Sequence, residues 1–326
     1  MERRDFGRLG QISALTLGGG GLGGVWGSTD RGEAVATVHA ALDAGITMLD
    51  VAPSYGDDYE AERVIGDALR SSSHPDAQVT SKVQVHDVPP GGDFAGLIGR
   101  SLEGSLTRLG RDHLDLFLLH TQLLPRDGSA SAAGTIHWDS YRDAVIPAFE
   151  HLRETGKIRA WGITAVGHPQ TTLDALQSSP RPDAAQIIVN PLDMNGDMWI
   201  YPDVAPRNDE LIDVASAHGI PILAIRAVAA GSLTDNLDRN LPPTHPAAKD
   251  FAEAAPFRKL AADLGTSAAV LAHRYALSVP GVSSVILGVK NRRELTECLQ
   301  AEAEGPLPAE VLTAIHALPG SRRTQG

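Results

Sequence analysis

The sequence predicts an α/β protein built as one closed (β/α)8 barrel domain over residues 1–326. Three observations carry that expectation. Short apolar runs rich in β-branched residues alternate with longer helical patterns, and they do so eight times. Strands joined by helical crossovers must run parallel, with each crossover covering a sheet face. The 326 residues suit one barrel with additions, and no Pro- or Ser-rich linker divides them. An open doubly wound sheet accepts the same alternation, but the count of eight units favours closure.

A polar start followed by Arg8-Leu9-Gly10 predicts a small hairpin near residues 1–12, ahead of the first barrel strand. The strands are expected at Ala14–Gly18, Ile46–Asp50, Gln78–Lys82, Leu114–His120, Ile158–Thr164, Ala184–Asn190, Pro221–Arg226 and Ser284–Gly288. Helical patterns fall near 30–44, 58–71, 93–109, 139–155, 168–178, 208–218 and 256–278, with another after 291. Asp30 with Glu33 forms a capping box for the first of these. Residues 308–317 read as an extra C-terminal helix, with fraying expected from Gly320. Segments 121–138 and 191–207 are long and partly apolar, as lids or disordered excursions are.

Lys and Arg number 28 against 40 Asp and Glu, a net charge of −12, and no basic cluster stands out. That argues against nucleic acid as a partner, because phosphate backbones select Lys/Arg clusters. The single cysteine, Cys298, rules out an intrachain disulfide and a Cys-based zinc site, and no metal is expected. No apolar stretch follows the charges at the start, so no signal peptide is expected. No apolar run reaches the ~18 residues of a spanning helix. The expectation is a soluble cytoplasmic protein acting on small molecules.

Gly18-Gly19-Gly20-Gly21-Leu22-Gly23-Gly24 satisfies the G-x-G-x-x-G spacing of dinucleotide-binding turns. That fingerprint needs a helix opening inside it, whereas the next helical pattern begins at Asp30. A flexible loop at a strand end is the simpler reading, and such a loop still lies where a cofactor would pass.

Polar side chains end three successive strands: Asp50, with Tyr55 five residues on, then Lys82, then His120. In a barrel these ends converge on the face that carries active sites. A Lys beside an Asp stays charged, and its charge is expected to lower the pKa of a nearby Tyr. Such a Tyr donates a proton to a carbonyl oxygen or, ionised, takes one from an alcohol. A histidine alongside orients the same oxygen. The set suits carbonyl–alcohol chemistry with hydride from a cofactor. Taken singly, each residue has a structural explanation: a cap, a rim aromatic, a solvated amine, a core histidine.

The segment Gly45-Ile46-Thr47-Met48-Leu49-Asp50-Val51-Ala52-Pro53-Ser54-Tyr55-Gly56, with Glu62 and Gly66-Asp67-Ala68-Leu69, resembles the first signature of the aldo-keto reductases. Ser101-Leu102, Ser105-Leu106 and Arg108-Leu109, then Leu114-Asp115-Leu116 and His120, resembles the second. Gly156-Lys157-Ile158-Arg159 with Gly162-Ile163-Thr164, and Gln186 with Asn190-Pro191, are similar to the fifth- and sixth-strand regions.

The resemblance implies a (β/α)8 barrel and an NAD(P)(H)-dependent oxidoreductase. It casts Tyr55 as general acid/base, Lys82 as its tuner, Asp50 as the partner of Lys82, and His120 as the group positioning the carbonyl. It places Gly20, Gly21, Asp50, Thr164, Gln186, Ile225 and Arg226 around the cofactor, with Gly288, Lys290, Asn291 and Glu297 at its adenosine half. Ile225 stands where the family often has an aromatic residue stacking on the nicotinamide. Arg226 beside it is expected to reach a phosphate, the substrate or an ion-pair partner.

Lys290, Arg292 and Arg293 supply the positive charge that a 2′-phosphate requires. Glu294, where members often carry Arg or Gln, opposes it. The expectation leans to NADP(H), with NAD(H) as the alternative. Trp26, Trp138 and Trp199 fall in loops at the strand-end face, where they either shape a substrate pocket, stacking on a sugar ring, or pack the loops themselves. The layout is most similar to bacterial aldose dehydrogenases and related carbonyl-reducing members. The alternative function is a barrel that senses nicotinamide redox state without significant turnover.

Overall fold

A computed structural model of the chain describes residues 1–86, 92–126, 134–201, 203–237 and 239–321. Strands β1 (Arg3–Asp5) and β2 (Gln11–Ser13) pair antiparallel as the expected hairpin. Strand β3 (Leu15–Gly18) opens the barrel and runs straight into α1, a single turn over Gly19–Leu22. Then follow α2 (Arg31–Asp43), β4 (Met48–Asp50), α3 (Glu60–Ser71), β5 (Gln78–Val83), α4 (Phe94–Leu109) and β6 (Leu114–Leu119). Short strands β7 (Gln122–Leu124) and β8 (Thr135–His137) lie in the first long segment. The chain continues through α5 (Trp138–Ser140), a π-helical turn over Tyr141–Val145, α6 (Ile146–Glu154), β9 (Ile158–Thr164), α7 (Pro169–Gln177) and β10 (Ala184–Ile188). It ends with α8 (Asn208–Ala217), β11 (Ile222–Ile225), α9 (Pro246–Glu253), α10 (Ala255–Asp263), α11 (Ala268–Ser278), β12 (Val282–Leu287), α12 (Arg292–Ala303) and α13 (Ala309–His316).

Strands β3, β4, β5, β6, β9, β10, β11 and β12 form a closed, wholly parallel barrel in chain order, with β12 pairing back onto β3. All eight expected strands are present, most a residue or two shorter than the apolar runs. Some elements differ in kind from the sequence reading: α9 was not expected, and the pattern at 139–155 is α5, the π-helical turn and α6. The pattern at 256–278 is two helices, because Gly265 enters the left-handed region (φ +71°) and Ser267 caps a fresh start at Ala268. The glycine run is a buried helical turn rather than a flexible loop. A Cβ on Gly21 would lie 2.2 Å from the Val289 carbonyl oxygen, and one on Gly23 would lie 2.5 Å from that of Tyr55. The glycines let three strand-end segments touch through backbone. Residues 127–133 of the first long segment, and the tail expected to fray beyond 321, lie outside the described residues.

The interior of the barrel is a separate apolar cluster of Met48, Leu116, Leu118, Ala160, Ala184 and Leu223. Phe6, Leu9 and Ile12 from the hairpin complete that cluster. Side chains alternate along a strand, so inward positions recur every second residue. Met48 therefore points Asp50 inward, Leu116 and Leu118 set the parity of His120, Ala160 that of Thr164, and Ala184 that of Gln186. The bottom of the barrel is apolar and its top polar. The larger core lies between the outer face of the barrel and the helices.

Candidate active site

The hydrogen-bond register brings the inward polar residues together. Asp50 pairs across to Thr80, Lys82 to Leu118, and Gln186 to Thr164. The Lys82 Nζ donates to Asp50 Oδ2 at 2.6 Å and to the Val51 carbonyl at 3.0 Å. From across the barrel, Gln186 Nε2 donates to the other carboxylate oxygen, Asp50 Oδ1, at 2.7 Å. Lys82 is fully buried and Asp50 and Gln186 nearly so. Burial works against the Lys82 ammonium, yet the Asp50 charge, with Tyr55 beside it, holds its pKa above the ordinary lysine value.

Tyr55 lies in the segment after β4, with Lys82 Nζ 4.6 Å from its ring centroid. His120 meets the same ring edge-on, the two centroids 5.8 Å apart. Two of the residues expected to carry chemistry, Lys82 and His120, therefore meet the Tyr55 ring, and Asp50 joins the cluster through Lys82. The Tyr55 pKa differs from expectation. Burial raises it by more than Lys82 lowers it, and Asp50 adds to the rise, so the phenol is protonated at neutral pH. His120 is pushed down to about 3 by burial and by the Lys82 charge, and is therefore neutral.

Among the described residues, the buried side-chain atoms at this end of the barrel without a hydrogen-bond partner include His120 Nδ1, Thr164 Oγ1 and Thr80 Oγ1. Buried polar atoms are seldom left unpaired unless something else completes them. A carbonyl or amide group arriving at this mouth would pair with His120 and Thr164. The Gln186 amide, expected to share the carboxamide with Thr164, donates here to Asp50.

The remaining expected residues separate into those at the rim and those with structural duties. Gly20 and Gly288 both face the Trp26 indole, whose Nε1 would stand 3.2 and 3.5 Å from Cβ atoms placed on them. The Arg239 guanidinium lies over the Trp26 ring, 5.3 Å from its centroid. Trp26 thus lies on the glycine surface expected for the cofactor. Trp199 donates its indole N–H to the carbonyls of Tyr201 and Val204, and Trp138 packs beside Tyr141, so both serve their own loops. At the start of α12, Asn291 caps the helix by accepting from the Glu294 N–H. Lys290 stands 3.5 Å from Glu294, Arg292 is paired with Glu33, and Arg293 stands 3.9 Å from Glu297. Arg226 holds a left-handed backbone (φ +58°) just past Ile225.

A buried ion pair behind the site was missed in the sequence. Glu62, fully buried on α3, accepts from the Arg108 guanidinium of α4 and from Ser81 Oγ at 2.7 Å, on the residue before Lys82. A glutamate amid the buried face formed by Ala61, Val64, Ile65 and Ala68 is the signal that marks it.

Two buried histidines set an acid limit on stability. His120 and His273 both have pKa values lowered by burial. Their stabilising contribution is complete above the unfolded value of about 6.5 and is lost as pH falls toward the folded value. Between pH 6 and pH 5 His120 costs about 1 kcal/mol by that linkage, and His273 acts in the same direction. Urea unfolding at the two pH values checks this, and His120→Gln should lessen the wild-type loss by about 1 kcal/mol. An unchanged pH dependence in that variant would mean that His120 titrates normally in the folded protein.

The aldo/keto reductase family model matches residues 14–319. The chain belongs to the aldo/keto reductase family. As an aldo/keto reductase it is 27% identical over 329 aligned residues to an uncharacterised oxidoreductase of Bacillus subtilis, YqkF, covering 97% of this chain and 96% of that one. It is 26% identical to L-galactose dehydrogenase of Arabidopsis thaliana, covering 93% and 89% of the two chains. Its fold is similar to that of the holo form of aldo-keto reductase AKR11C1 from Bacillus halodurans, with a TM-score of 0.73 at 23% identity, covering 100% and 99%. No described helix of this reductase is long and apolar enough to cross a membrane.

Proposed function

We propose that the chain, acting as one barrel unit over residues 1–326 in the cytoplasm, interconverts aldehydes or ketones and alcohols, aldoses and their lactones among them. The observation that carries this reading is the single cluster of Asp50, Lys82, Tyr55 and His120 at the polar end of the barrel. Tyr55 gives its proton to the carbonyl oxygen in reduction and takes one from the alcohol in oxidation. Lys82 steadies the phenolate that either direction exposes, and Asp50 with Gln186 holds Lys82 in place. Neutral His120 hydrogen-bonds the reacting oxygen and orients it. A nicotinamide cofactor, when bound, supplies or accepts the hydride.

The residues present fit that cofactor. The unpaired Thr164 hydroxyl suits its carboxamide, and the N-terminus of α12 suits an anion. We propose a preference for NADP(H), resting on Lys290, Arg292 and Arg293 beside that helix end. Each of these cations faces a carboxylate in the structure, so the preference should be modest and adjustable. Lys290→Ala is expected to weaken NADP(H) more than NAD(H), and Glu294→Gln to tighten NADP(H) by roughly threefold to tenfold, worth about 1 kcal/mol. Titration of each cofactor by fluorescence checks both. Equal changes for the two cofactors would show that this helix end does not read the phosphate.

The experiment that tests the function is an absorbance screen of aldoses, aldehydes and ketones with each cofactor in both directions. Cofactor binding without turnover of any of them would favour the redox-sensing barrel instead.

A further inference from the structure

Glu62 and Arg108 take no part in the proton transfer, yet their buried pair lies between the two segments that supply it. Each carboxylate oxygen of Glu62 has its own partner: Oε1 accepts from Ser81 Oγ at 2.7 Å, and Oε2 accepts from Arg108 Nε. Glu62 is fully buried and Arg108 is 17% exposed. Ser81 is buried on the outer face of β5, and the next residue, Lys82, points into the barrel. One oxygen of Glu62 thus holds the strand that carries the ammonium.

The other oxygen reaches the loop that carries the phenol. The Arg108 guanidinium lies over the Tyr59 ring, 4.0 Å from its centroid. Tyr59 ends a 3-10 turn over Asp57–Tyr59, which begins two residues past Tyr55. Asp58 and Tyr59 both hold left-handed backbone (φ +48° and +60°), which persists in non-glycine residues only where surrounding contacts impose it. For the half-exposed Tyr59 ring, the guanidinium is such a contact. The chain then returns to Tyr55, because the Ala61 N–H donates to the Tyr55 carbonyl at 3.1 Å. Ala61 immediately precedes Glu62. The loop from Tyr55 to Ala61 is therefore closed on itself and clamped at its far end by Arg108.

Packing of the two helices does not require this pair. A Cβ on Gly66 of α3 would lie 2.3 Å from the Arg108 carbonyl oxygen, so the backbones already touch there. Val64 and Ile65 of α3 and Leu102 and Leu106 of α4 belong to one apolar core. A buried ion pair adds little stability over apolar side chains of similar volume, whereas its hydrogen bonds fix directions that apolar contacts leave free. We propose that Glu62 and Arg108 are positioning residues for the proton transfer. Their pair sets the β5 segment of Lys82 against the loop of Tyr55, and so fixes how closely the ammonium approaches the phenol ring. A Lys82 that drifts from Tyr55 steadies the phenolate less, although Asp50 keeps it charged. This rests on the carbonyl–alcohol reading above and adds to it the parts that hold its acid–base pair.

The test replaces the pair as a unit, with Glu62→Leu and Arg108→Met in one chain. Melting temperature and cofactor affinity should stay near wild type, because no buried charge is left unpaired. In contrast, kcat should fall roughly tenfold to a hundredfold in both directions with KM little changed, since a misplacement of about 1 Å costs on that order. The alkaline climb of the oxidation rate should move to higher pH by roughly half a unit or more. Ser81→Ala and Tyr59→Leu each cut one link, to the strand or to the loop, and should lower kcat by roughly threefold or more with the same pH shift. These two carry the test if the double variant does not fold. A lowered melting temperature with wild-type kcat and pH profile in the folded variants would overturn the positioning role and leave the pair structural. A wild type that turned over neither carbonyls nor alcohols would instead bring down the carbonyl–alcohol reading, and the positioning role with it.

Discussion

Replacing Tyr55 with Phe is expected to lower kcat by roughly 10²–10⁴, the range that a positioned general acid or base supplies. Cofactor affinity should remain near wild type. The ring stays under Lys82 and against His120, so packing is preserved and only the hydroxyl is lost. The direction of the Tyr55 pKa adds a pH signature. Because burial outweighs Lys82 and keeps the phenol protonated, the acid form needed for reduction is populated throughout neutral pH. Reduction should therefore vary little between about pH 6 and 9, whereas oxidation, which needs the phenolate, should climb toward alkaline pH. His120 adds no acid limb in that window, since it is held neutral down to about 3. Steady-state rates in both directions, with cofactor binding followed separately, check the set. A Tyr55→Phe variant turning over at wild-type rates would remove Tyr55 from the chemistry.

What could be read from the sequence follows physical lines. The eight strands were legible because buried parallel strands are short continuous apolar runs, and no tertiary event alters that pattern. The site was legible because Asp50, Lys82 and His120 end consecutive runs, and closure of the barrel leaves such ends nowhere else to point. Tyr55 was legible as the tyrosine five residues past Asp50, although irregular chain has no periodicity to fix where its ring points. The glycine turn misled for a related reason. Its conformation is set by Val289 and Tyr55 carbonyls that approach from distant segments, and no local signal announces them. The Tyr55 pKa misled because Lys82 is visible in the sequence while desolvation is not. Arg226 showed as an oddity beside Ile225, yet the carboxylates that act on it, Asp197 in a short turn and Asp250 in α9, are distant in sequence and meet it only in three dimensions.

Removing the ammonium from Lys82, as in Lys82→Met, is expected to cost about 3–5 kcal/mol of stability as well as most of the turnover. The stability loss comes less from a missing attraction than from the charge left behind. Asp50 would remain buried with the neutral Gln186 amide still donating to it, and a buried carboxylate without a counter-charge is far costlier than an exposed one. Such a carboxylate relieves itself by taking a proton, which raises its folded pKa above the unfolded value near 4. Relative to wild type, the cost should then be least in acid and grow as pH rises through that folded pKa. Adding Asp50→Leu to Lys82→Met removes the stranded charge and should recover a large part of the stability while recovering none of the activity. Urea midpoints of the single and double variants, measured beside turnover, separate the two roles. If the double variant were no more stable than Lys82→Met alone, the stranded Asp50 charge would not be the origin of the loss. A double variant that turned over substrate would mean that Tyr55 works without the Lys82 charge beside it.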